Sequence, residues 1–148
     1  MRVDLQKDLN ATIAHVVGQG VVALSVGCEI HLRVDPHSSG KFFEGNCWVR
    51  HPDGDLSDQL RRPLGLAGCV SALAFTRGSP EELEAVEVFD KLQAGQIALS
   101  ADDAAMAEGF TLADVSFALD VLRARWPAVE EEVGYMAPRI MQDVNHFH

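Results

Sequence analysis

Long apolar runs are missing from this 148-residue chain. None approaches the ~18 residues that a helical membrane span requires. Met1 to Asn10 are charged and polar, so no secretory leader is expected there. Basic residues are scarce: Lys and Arg total 12 against 22 Asp and Glu, a formal net charge of −10. That balance repels phosphate backbones and anionic bilayers, so neither nucleic acid nor a membrane is an expected partner. Cysteine is sparse as well. Cys28, Cys47 and Cys69 form no C-x-x-C, and they read as three reduced, mostly buried thiols in a reducing, cytoplasmic compartment. A glycine-rich phosphate loop, a G-x-S-x-G and an interleaved basic and aromatic patch are all lacking. So are internal repeats and any linker between domains.

Hydrophobic residues make up 47% of the chain and charged residues 23%, the balance of a globular protein with a continuous core. The length suits one domain over residues 1–148, with a loose tail from about residue 143. From Asp4 to Val26 apolar residues recur at helical spacing and become nearly continuous after Ala11, which predicts a buried central helix. Gly18 and Gly20 weaken such a helix by roughly 1 kcal/mol each, which implies close packing against that turn. Cys28 to Val34 alternates, with Ile30 and Leu32 on one face and His31 and Arg33 on the other. This is a half-buried strand, and Asn46 to Arg50 is expected to pair with it. Asp35 to Gly40 and Pro52 to Asp55 read as turns.

Helical spacing returns from Asp55 to Phe75, with Pro63 either bending that helix or marking its start. Ser79-Pro80-Glu81-Glu82 predicts a helix running to about Gln93, stopped by Gly95. Ser100 to Asp103 is a second capping box. Thr111 to Asp114 is a third, opening a helix through Arg125. Pro127 then starts a last helix to about Met136. The expected fold class is mainly α with a small antiparallel sheet.

The informative stretch is Ala14-His15-Val16-Val17-Gly18-Gln19-Gly20-Val21-Val22-Ala23. It resembles the A-H-E-A-G-H-A-V-V-A helix of the FtsH-type zinc proteases, the peptidase part of membrane-bound AAA proteases. In that motif two histidines one turn apart face one metal, and the glutamate activates the metal-bound water. Here His15 keeps the first histidine, Val16 stands at the glutamate and Gln19 at the second histidine. Leu66 to Leu73 is similar to the family's L-A-G-R-A-A-E helix, with Ser71 and Ala72 where its acid would be. Ser100 to Asp103, with Ala107 beyond, resembles the segment carrying the third ligand, an aspartate. Arg123 to Glu130 resembles a stretch of short stand-alone relatives. The matches span about residues 11 to 131 in consistent order. They imply a zincin-like, FtsH-peptidase-like helical domain.

Each residue also has a plain reading. A lone histidine on an apolar helix is more often a hydrogen-bonded core residue than a ligand. Asp103 can serve as the reciprocal residue of its capping box, and Asp102 can cap instead. His31 is expected on an exposed strand face, His37 and His51 in loops, and His146 and His148 in the tail. Glu130 to Glu132 read as a solvated helix face. Val16 cannot accept a proton, whatever the resemblance. The expectation is therefore a catalytically inactive, peptidase-like protein with a binding or assembly role toward an unidentified protein partner. No catalytic residue and no cofactor are expected, the degenerate positions being His15, Val16 and Gln19. The alternative is a zinc-dependent peptidase with unusual ligands, drawn from His15, Asp103 and a histidine from elsewhere.

Overall fold

The computed structural model describes residues 4–36 and 43–146. Among them are five α-helices, one short 3-10 turn and a two-stranded antiparallel sheet, a mainly α architecture with a small β component. Helix α1 (Leu5–Ser25) is the central element. Asp4 caps it by accepting from the Lys7 N–H at 3.1 Å. Its end is set by Gly27, whose φ of 83° an L side chain rarely adopts. Strands β1 (Glu29–Pro36) and β2 (Phe43–Arg50) pair antiparallel, with Leu32 opposite Cys47 and Ile30 opposite Val49. Both run longer than the alternation alone predicts. His37 falls outside the described residues.

One face of this hairpin lies on α1. Ile30 and Leu32 pack against Gly20, and Val16 and Thr12 against Gly45. The other face carries His31 and Trp48, whose rings meet tilted by 38° with centroids 5.3 Å apart. Helix α2 (Asp58–Arg77) crosses the opposite side of α1, where Ser71 presses directly on Gly18. That contact is the close packing implied by the glycines. The Ser71 hydroxyl donates to the Ala14 carbonyl at 2.6 Å, fastening the crossing. Pro63 neither starts α2 nor ends it: it lies buried within the helix.

Two differences from the sequence reading have clear physical causes. Ser79 does open a turn, accepting from the Glu81 N–H at 3.2 Å, but only the 3-10 turn Pro80–Glu82 follows. The Arg123 guanidinium donates to the Pro80 carbonyl at 3.4 Å and to the Leu83 carbonyl at 2.5 Å. Leu83 is extended and driven into the core, so helix α3 begins later, at Ala85–Gln93. The second difference is larger. Helix α5 runs unbroken over Leu112–His146, through both Pro127 and Pro138. An interior proline costs about 3 kcal/mol, whereas burying a large apolar side chain gains about 1.5–3 kcal/mol. Leu119, Leu122, Trp126, Val129, Val133 and Ala137 all lie on the buried stripe, which continues across Pro127. Burial on both sides of the proline outweighs its cost. The tail is helical as far as His146, and residues 147 and 148 lie outside the described residues.

Candidate functional site

Three elements build the site. From α1 come His15 and Gln19, one turn apart and therefore on one face. From α2 come Leu64 and the small residues Gly65 and Gly68. Helix α4 (Ala101–Ala107) supplies Asp103. The approach of α4 depends on Gly65, where a Cβ would lie 2.7 Å from the Asp103 carbonyl oxygen and 2.6 Å from the Ala107 nitrogen. Arg61 of α2 holds the other end of α4, donating to the Ala105, Met106 and Glu108 carbonyls at 3.0, 2.6 and 3.2 Å. A cation on the last carbonyls of a helix also complements its dipole.

Ser100 caps α4 by accepting from the Asp103 N–H at 3.1 Å. The Asp103 carboxylate does not complete the box. It turns inward, 6% exposed, and accepts from two residues of α1. His15 Nε2 lies 3.0 Å from Oδ2, and the Gln19 amide donates to Oδ1 at 3.4 Å and to the Leu64 carbonyl at 3.2 Å. An ionised carboxylate can only accept, so Nε2 carries the proton of this bond. The imidazole lies close against Gly68, where a Cβ would collide with Nε2 and force the ring to shift. By contrast, Thr111 and Asp114 do form a reciprocal box, with the Thr111 N–H on Asp114 Oδ2 at 2.8 Å and the Asp114 N–H on Thr111 Oγ1 at 3.4 Å.

The structure thus brings His15, Gln19 and Asp103 together. Val16 lies beside them, 1% exposed and packed toward Gly45. Asp102 is exposed on α4. His31 is exposed on the sheet, and His51 accepts from the Asp53 N–H at 3.2 Å within its turn. Among the described residues, no group of three His, Cys, Asp or Glu side chains converges as a metal set. Two members of the neighbourhood have no counterpart in the motif: Cys47 of β2 and Cys69 of α2. Burial pushes each thiol up to about 12, and the negative charge of Asp103 adds to the shift. The repeated small residues Gly65 and Gly68 were the available sign that α2 is approached closely here.

His15 also borders open space. Its side chain is 31% exposed and lines a cleft of about 370 Å³ between α1, β2 and Ala72 of α2. No protein-family model matches the chain, and no curated protein matches it. No helix among the described residues is long and apolar enough to cross a membrane.

Proposed function

We propose that this chain is a peptidase-like protein without catalytic activity, kept for binding or assembly. The observation that carries this reading is the bond between His15 Nε2 and Asp103 Oδ2 at 3.0 Å. The two residues that the resemblance assigns to a metal are satisfied by each other. Gln19, at the position of the missing histidine, completes the network through its amide. A catalytic zinc takes three protein ligands and keeps one open position for water. Here two ligand-type side chains are present, and a neutral amide stands where the third would be. General-base assistance is worth about 10²–10⁴-fold in rate, and the buried Val16 supplies none.

A zinc-dependent activity with unusual ligands is the second reading. It draws support from one fact: His15 and Asp103 already lie side by side at the edge of an open cleft. Elemental analysis of the purified protein separates the two. Substoichiometric zinc and no chelator-sensitive casein cleavage are expected; one zinc per chain or such cleavage would overturn the first reading. The double substitution Val16→Glu with Gln19→His is expected to create zinc affinity. If it creates none, the assignment of these positions to a former metal site fails.

A further inference from the structure

We infer that the cleft beside His15 receives an alkylammonium group, presented as a lysine side chain by a partner protein. This rests on the reading of the site as free of catalytic metal, and it gives the binding role a chemistry. The walls of the cleft are apolar, formed by Ala11, Val16, Phe43 and Ala72. Among the described residues, the side-chain polar groups at it are all acceptors. His15 gives its Nε2 proton to Asp103, so Nδ1 keeps a lone pair, with no hydrogen-bond partner among the described residues. The Thr12 hydroxyl spends its proton on the Asp8 carbonyl at 2.8 Å, leaving its oxygen to accept. Glu44 stands exposed at the lip with its carboxylate in no ion pair among the described residues. The Asp8 carboxylate accepts from the N–H of Phe43, one of the lining residues, at 2.7 Å.

No Lys or Arg is among the described lining residues. An apolar trough with acceptors at several separate points suits a four-carbon stem ending in three rotatable donors. A guanidinium fork would instead favour one carboxylate met edge-on. The net charge of −10 draws cationic partners toward the protein as a whole.

The test is a titration of the 15N-labelled full chain in EDTA at pH 8 with acetyl-Ala-Ala-Lys-Ala-Ala-amide, its Nε-acetyl-lysine counterpart and n-butylamine. The lysine peptide is expected to shift the Thr12 and Gly45 amides and the His15 ring nitrogens saturably. Acetylation should weaken it at least about tenfold, since it removes the charge. Glu44→Gln, at an exposed position, should weaken it about threefold. n-Butylamine should bind at least about threefold more weakly than the peptide, because it lacks the flanking contacts. Equal binding of the acetylated peptide, or no saturation, would overturn the proposal; equal binding of n-butylamine would overturn the protein source. Zinc content is measured separately, so a metal-free protein indifferent to the lysine peptide defeats this inference and leaves the earlier reading standing.

Discussion

Asp103 is the residue on which the account of the site turns, and Asp103→Ala is its most direct perturbation. The carboxylate makes two side-chain bonds, a well-formed one to His15 at 3.0 Å and a long one to Gln19 at 3.4 Å. A hydrogen bond to a charged group is worth about 1.5–3 kcal/mol. Here His15 is about one-third exposed and can turn to water when its partner is gone, which reduces the loss to about 1–2 kcal/mol. Gln19 retains the Leu64 carbonyl. An acid in the first turn of α4 adds about 0.3–1 kcal/mol through the helix dipole. The expected destabilisation is about 2 kcal/mol. With an m-value near 2 kcal/mol/M, it lowers the urea midpoint by about 1 M. The buried Trp126 supplies a fluorescence signal for unfolding.

Asp103→Asn separates shape from charge. Its Oδ1 can still accept from Gln19, and its amide can donate to His15 once the imidazole proton moves to Nδ1, so the cost should stay below about 1 kcal/mol. Removing the charge should lower both thiol pKa values, although burial, the larger cause, remains. Alkylation of the half-buried Cys47 at pH 9.5 should therefore be faster in the asparagine variant. All measurements are made in EDTA. If Asp103→Ala costs less than about 0.5 kcal/mol there but destabilises strongly in added zinc, Asp103 is a metal ligand and the network argument is wrong.

Two further outcomes follow from the packing. Pro127→Ala should stabilise the protein by about 2–2.5 kcal/mol: relief of an interior proline (about 3 kcal/mol) exceeds the unfolded-state entropy that proline removes (about 0.4–1 kcal/mol). Were α5 broken there, with Pro127 at a first helical position, the same change would instead lose stability in a urea titration. The second outcome concerns alkali. Burial raises the Cys69 thiol to about 12, above its usual value of 9.0. The folded state therefore holds that proton more tightly than the unfolded state. The stability it confers is complete below about pH 9 and is lost as pH rises toward 12. Its slope is at most about 1.4 kcal/mol per pH unit. Cys69→Ala should flatten the decline measured between pH 8 and 10.5, and an unchanged slope would refute the assignment.

The elements that sequence anticipated are those whose signal is local. Asp4 and Gly27 bound α1 because a cap and a left-handed stop are properties of one turn. Alternation in residues 28 to 34 marked β1 because its two faces meet different surroundings. The misplaced boundaries were decided by distant partners. Ser79 carried a sound start signal, yet Arg123 of α5 took the carbonyls that would have continued the helix. Pro127 carried a sound break signal, yet Trp126, Val129 and Val133 were all needed by the core.

The site divides along the same line. That His15 and Gln19 share a face follows from helical spacing, whereas the meeting with Asp103 depends on the packing of three helices. The capping-box reading of Asp103 illustrates the limit. Ser100-x-x-Asp103 satisfies the local rule, and the backbone half of that rule is obeyed. The side-chain half was free to go either way, because a carboxylate at that position can reach back to its own helix or forward to a neighbour. What tipped it was Gly65, which lets α4 approach α2 closely enough for the carboxylate to meet the imidazole and the amide of α1. A bulkier residue at position 65 should push α4 away and return Asp103 to its capping role. The glycine is therefore as much a determinant of this site as the three side chains that meet in it.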